Sequence, residues 1–128
     1  MIPHTILVVE DEPILRDLMA RTLLASGSRV HVAANGKEAW DMLQELTPDI
    51  ILLDLLMPLI TGYELLGKLH SDERFKKTPC LVLSNSGQID DLNRAFALGA
   101  TDVLIKANFN PDQLVNKVEQ ILAAHKPA

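Results

Sequence analysis

The chain has 128 residues, of which 48% are hydrophobic, so one domain over residues 1–128 with a single core is expected and a disordered chain is excluded. No apolar stretch approaches the ~20 residues that span a membrane, and the opening MIPHTILVVEDE lacks the basic-then-apolar pattern of a signal peptide. A net charge of −5 with no basic cluster longer than Lys76-Lys77 argues against direct nucleic-acid binding, and the lone Cys80 excludes an intrachain disulfide and suits a reducing cytoplasm.

Residues 5–10, TILVVE, read as the first strand. Glu10-Asp11-Glu12-Pro13 stops it and opens a helix, with Asp11 as N-cap and Pro13 in the first turn, where its missing N–H costs nothing. Leu15, Leu18, Met19 and Leu23 share one side of that helix, which should stop near Gly27. Residues 29–33 form a short second strand. Asn35-Gly36 is a turn before a helix with Ala39, Leu43 and Leu46 on one face and Trp40 half-buried beside them.

Residues 49–54 are the third strand, an apolar run that ends in the carboxylate of Asp54. Pro58 has no N–H to continue a ladder, so Asp54 sits where a buried strand surfaces into a loop. Gly62 opens a third helix with Leu65, Leu66 and Leu69 inward; Gly67 inside it should cost about 1 kcal/mol relative to Ala. Residues 71–78 read as a polar loop, and Pro79 leads into a fourth strand, 80–84, with Cys80 as a small core residue. Asn85-Ser86-Gly87 is a turn. The fourth helix should place Ile89, Leu92, Ala95 and Phe96 inward and end at Gly99. Residues 101–106 are the fifth strand. Asn110-Pro111-Asp112-Gln113 is a helix start, and Leu114, Val118, Ile121 and Leu122 make the last core stripe. His4, His31, His70 and His125 stand at no metal-ligand spacing and read as surface or packing residues.

Five strands alternating with five helices build an α/β fold, a parallel sheet covered on both faces. Right-handed crossovers favour a doubly wound order of 2-1-3-4-5. In such sheets ligands bind outside the carboxyl ends of the strands. Those ends carry Glu10-Asp11, Asp54, Ser84 and Lys106. Two like charges 4 Å apart repel by on the order of 4 kcal/mol at an effective dielectric of 20, and one Lys cannot offset three carboxylates. A divalent cation can, and short hard carboxylates suit Mg²⁺ better than Zn²⁺ or Ca²⁺. The structural alternative is a buried Asp54–Lys106 ion pair with Glu10 and Asp11 merely solvated. A cation, a nucleophilic carboxylate, a hydroxyl and an ammonium around one point suit phosphoryl transfer, with Asp54 attacking in line.

VVEDE, DLLMP with Gly62, LSNS and IKA together resemble the receiver domain of two-component response regulators, of the chemotaxis-regulator-like kind, along the whole chain. The resemblance implies a flavodoxin-like fold and a phosphoacceptor at Asp54, served by a histidine kinase or phosphotransfer protein and assisted by Ser84 and Lys106. It implies Mg²⁺ held by Asp11, Asp54 and the main-chain carbonyl of Leu56, with Glu10 acting through water. It further implies a switch that binds a downstream effector through the face of helix four, strand five and helix five, rather than an enzyme with a separate substrate. No nucleic acid or membrane would be touched directly.

Three positions depart from the family pattern. Val103 stands where an aromatic is usual, Ala107 where Pro often follows the Lys, and Asn85 where a small residue is usual. Val103 cannot swing as a ring does, and the Lys106–Ala107 bond should be trans. Leu56 is expected to slow hydrolysis by excluding a positioned water. A docking module that works without phosphorylation is the alternative that Val103 and Ala107 motivate. An aspartyl phosphatase would want a second Asp at position 56, and a flavin or nucleotide site would not open on Glu10-Asp11-Glu12.

Overall fold

Side chains that alternate along a strand need two covered faces, and the fold supplies both. The structure is a computed structural model that describes residues 4–85 and 87–125. Strands β1 (Thr5–Val9), β2 (Arg29–Ala33), β3 (Ile50–Asp54), β4 (Cys80–Ser84) and β5 (Asp102–Ile105) pair in parallel, in the order β2-β1-β3-β4-β5. Between and after them run α1 (Pro13–Ala25), α2 (Gly36–Met42), α3 (Gly62–His70), α4 (Ile89–Ala97) and α5 (Pro111–Ala124). The doubly wound, flavodoxin-like order read from the sequence is the order that forms.

Leu7, Val9, Ile51, Leu53, Cys80 and Val82 point to the face covered by α2, α3 and α4. Their neighbours Ile6, Val8, Ile50, Leu52, Leu81 and Leu83 point to α1 and α5. β3 and β4 are buried along their whole length, as central strands of a two-sided sheet must be. Asn35, Thr61 and Asn110 cap α2, α3 and α5, their side-chain oxygens accepting from Glu38, Glu64, and both Asp112 and Gln113.

Several expectations need correction. Asp11 is not a cap: the N-cap of α1 is Glu12, without a side-chain bond, and Asp11 belongs to an acidic cluster at the sheet rim. Leu18 is exposed, and α2 ends at Met42, short of the expected Leu46. β1 stops at Val9, β3 begins at Ile50, and β5 loses a residue at each end. The Asp49 carboxylate instead accepts the Thr5 N–H (2.7 Å), and Lys106 opens a 3₁₀ turn, Lys106–Asn108. The loop 71–78 is not wholly polar, since Phe75 is buried with its ring edge-on to Trp40.

The largest departure is α4. Ile89 is 72% exposed and Phe96 46% exposed, and of this helix only Ala95 is fully buried. α4 joins the last two strands at the sheet's edge, so the sheet covers little of it. Of the expected turn at 85–87, Ser86 lies outside the described residues, as do Met1 and Lys126 to Ala128. No described peptide bond is cis, in line with a trans Lys106–Ala107 bond.

Two glycines of α3 contrast. A Cβ on Gly62 would drive into the Asp54 carbonyl and the Leu55 backbone, and the Gly62 N–H donates to the Leu55 carbonyl (2.8 Å). Gly62 therefore lets α3 start against the end of β3 and fixes where Asp54 emerges. A Cβ on Gly67 would meet nothing within 4 Å, so no contact explains that glycine. Leu59, in the loop that follows Asp54, is held exposed at φ 71°, which costs a bulky residue roughly 1–2 kcal/mol. Gly62→Ala should cost about 1–3 kcal/mol through overpacking, and Gly67→Ala should gain roughly 0.5–1 kcal/mol through helix propensity. Urea midpoints of the two variants check both signs.

Candidate functional site

The carboxyl ends of β1, β3, β4 and β5 meet at one rim. Glu10 follows β1 and keeps the ladder going, its N–H donating to the Ala33 carbonyl (3.1 Å). Arg16 of α1 donates to the Glu10 carbonyl (3.0 Å), and the Glu12 N–H donates to Glu10 Oε1 (3.2 Å). Asp54 ends β3, and its Oδ1 accepts the Leu56 N–H (3.4 Å). Carboxylate oxygens of Glu10, Asp11 and Asp54 all lie within 4.8 Å of one another, the only such group of potential ligands among the described residues. Lys106 Nζ stands 2.9 Å from Glu10 Oε1, 3.1 Å from Asp54 Oδ2 and 3.7 Å from Glu12 Oε2.

The structural alternative of a lone Asp54–Lys106 pair therefore fails. Glu10 is 0% exposed, the most buried carboxylate of the set, and it shares Lys106 with Asp54. Asp11 alone of the trio reaches solvent. Burial pushes the Glu10 carboxyl up to about 7, although Lys106 pulls it down. Burial, with Asp11 adding to it, raises Asp54 against the pull of Lys106. For Lys106 burial works to lower the value, but the hydrogen bonds to Glu10 and Asp54 outweigh it and raise it.

One ammonium serves two buried carboxylates, and one oxygen is left over: Glu10 Oε2 is buried without a hydrogen-bond partner. An orphaned charged oxygen costs at least the ~1–3 kcal/mol of an unsatisfied polar group. Three carboxylates with a leftover oxygen fit a hard divalent cation such as Mg²⁺, bound through oxygens and water. Leu56 contributes no side-chain donor; it is 66% exposed at the edge of the cluster.

A cavity of ≈ 210 Å³ opens beside Asp54 and is lined by Leu55, Leu56, Tyr63, Ser84, Asn85, Asp91 and Arg94 as well. It has room for a few waters or one phosphoryl group. Ser84, buried at the end of β4, thus faces the same space as Asp54. Sequence reasoning missed Tyr63, Asp91 and Arg94, because they come from α3 and α4 with no motif spacing. The available signal was an acid and a base one turn apart on the helix after Ser84. The Arg94 guanidinium lies 3.9 Å over the Tyr63 ring centroid, a cation–π contact worth roughly 0.5–1 kcal/mol at an exposed site. Burial raises the Tyr63 hydroxyl; the Asp91 charge and hydrogen bond add to this and Arg94 opposes it. Val103 packs on the same side of the sheet as α4.

The response regulator receiver domain family model matches residues 6–119. The response regulator Rre1 of Synechocystis is 37% identical over 94% of this chain and 52% of that protein. The DNA-binding dual master transcriptional regulator RpaA of the same organism is 34% identical over 91% of this chain and 48% of that protein. The chain thus spans about half the length of these curated relatives. A putative response regulator from Chloroflexus aurantiacus superposes with a TM-score of 0.90 at 35% identity, covering 95% of this chain and 99% of that one. The chemotaxis response regulator CheY4 of Vibrio cholerae gives 0.89 at 31% identity, covering 94% and 99%. Among the described residues no helix is long and apolar enough to cross a membrane.

Because the Glu10 carboxyl sits near 7 when folded against 4.5 when free, the folded chain binds the extra proton between those values. The contribution of Glu10 to stability is therefore full at low pH and is lost as pH rises through about 7; the raised Asp54 acts in the same direction. Without metal, the stability lost between pH 5 and pH 8 should be on the order of 2–3 kcal/mol. Thermal unfolding at the two pH values reads it, and both Glu10→Gln and added Mg²⁺ should flatten the slope.

Proposed function

The chain belongs to the response regulator receiver domain family, and from that premise we propose that it accepts a phosphoryl group on Asp54 from the phosphohistidine of a histidine kinase or phosphotransfer protein. The observation that carries the reading is the buried Glu10–Lys106–Asp54 cluster with its orphaned Glu10 oxygen. Glu10, Asp11, Asp54 and the Leu56 carbonyl would hold Mg²⁺, which when bound supplies neutralising charge for phosphoryl oxygens.

The residues of the chain then divide the work. An Asp54 carboxylate oxygen forms the new bond to phosphorus as the phosphorus–nitrogen bond to the donor histidine breaks. Lys106, already hydrogen-bonded to Asp54, stays beside it as the charge grows. Ser84 donates its hydroxyl to a phosphoryl oxygen in the shared cavity. Leu56, apolar at the edge of that space, hinders a water from lining up on phosphorus. In this reading the chain is a phosphoacceptor that assists its own phosphorylation and dephosphorylation, not an enzyme with a separate substrate.

The proposed output is a change in effector binding on the face of α4, β5 and α5, where the exposed Ile89 and Phe96 offer apolar contact. The likeness to CheY4 supports a chemotaxis-regulator-like domain. DNA binding of the kind named for RpaA belongs, in this proposal, to the part of such proteins outside the matched half, because this chain carries a net charge of −5.

Acetyl phosphate with Mg²⁺, followed by intact mass, tests the reading. The wild type should gain one phosphoryl group and Asp54→Asn none, and omitting Mg²⁺ should suppress the gain. An unmodified wild type, or a modified Asp54→Asn, would count against it. Followed over time, Leu56→Asn should lose the group faster than the wild type.

A further inference from the structure

The cavity beside Asp54 contains a cation to which the phosphoacceptor reading gives no task. Arg94 lines that cavity together with Asp54 and Ser84, and its guanidinium rests on the face of Tyr63 at 3.9 Å. We propose that Arg94 is a further residue of the phosphoryl site. When Asp54 carries the group, the guanidinium leaves the ring, pairs with the phosphoryl oxygens across the cavity and conveys the modified state to α4. This inference rests on the phosphoacceptor reading above and assigns that site its means of regulation.

Charge balance gives the driving force. In the loaded but unmodified site one ammonium and one divalent ion match the three clustered carboxylates, while Glu12, 3.7 Å from Lys106, and Asp91, in the cavity wall, add negative charge. A phosphoryl group of charge near −2 in place of the Asp54 carboxylate adds about one more negative charge. That excess lies on the cavity side of Asp54, where Arg94 stands. A planar guanidinium fork also matches two phosphoryl oxygens at once, which an ammonium does not.

The surroundings allow the movement. A guanidinium parked on a ring is held more weakly than one in a bidentate carboxylate pair. Tyr63 need not follow it, because the ring is buried. α4 itself is lightly anchored: Ala95 is its one fully buried residue. β5 offers no rival messenger on this side of the sheet, since Val103 is aliphatic and packed against the core. No covalent bond changes in the step. The guanidinium stays charged and exchanges a ring face for phosphoryl oxygens.

The test uses the full chain, with beryllofluoride and Mg²⁺ as the phosphoryl mimic, and NMR of arginine side chains and backbone amides. Spectra are compared at equal loading, read from the Asp54 amide. In the wild type, saturation should remove the ring-current shift of the Arg94 side-chain protons and move the α4 amides. In Arg94→Ala the α4 shifts should be lost, and Arg94→Lys should recover only part of them. A loaded wild type in which Arg94 stays on Tyr63, or an Arg94→Ala protein whose α4 amides move as in the wild type, would overturn the inference alone. A wild type whose Asp54 amide ignores the mimic would overturn it together with the phosphoacceptor reading.

Discussion

Lys106 stands 2.9 Å from Glu10 and 3.1 Å from Asp54, and all three side chains are nearly out of water. Two buried carboxylates sharing one ammonium are an unbalanced arrangement. Removing one partner of a buried pair typically costs about 3–5 kcal/mol, whereas the intact pair contributes little net stability. Here the pairing is incomplete from the outset, with Asp11 close by and Glu10 Oε2 unpartnered. Such a cluster is a poor device for stability. It is a good device for taking up a cation, and, in the function proposed, a phosphoryl group after it.

The scaffold makes the imbalance tolerable. Four parallel strands end at the same rim, so residues far apart in the chain are delivered to one place by ladders that cannot slip without turning the core outward. Gly62 lets α3 begin hard against the Asp54 backbone. Arg16 and the Ala33 carbonyl pin the Glu10 backbone. The buried strand ends thus hold the charges, while α4 has the fewest fully buried residues of the five α-helices.

The fold was legible in the sequence because its signals are local and repeat: short apolar runs, a turn at Asn35-Gly36, a cap at Asn110, and stops at Gly27 and Gly99, both at positive φ. Strand-end chemistry was legible because a parallel sheet collects its carboxyl ends. Other features were hidden because they depend on tertiary placement. Asp11 had the composition of a cap, yet it joins the acidic cluster and Glu12 takes the cap position. Ile89 and Phe96 have a core-like pattern, yet the sheet's edge leaves them exposed. Glu10 gave no sign of being the most buried carboxylate, and no spacing rule links Tyr63 of α3 to Arg94 of α4.

Calorimetric titration of Mg²⁺ into the metal-free chain tests most directly whether the acidic cluster serves a cation. The wild type should show one saturable site and Asp11→Asn should lose it, a change at the solvent-facing member that leaves the buried pair intact. A wild type without saturable binding, or an Asp11→Asn protein that binds as the wild type does, would contradict that role.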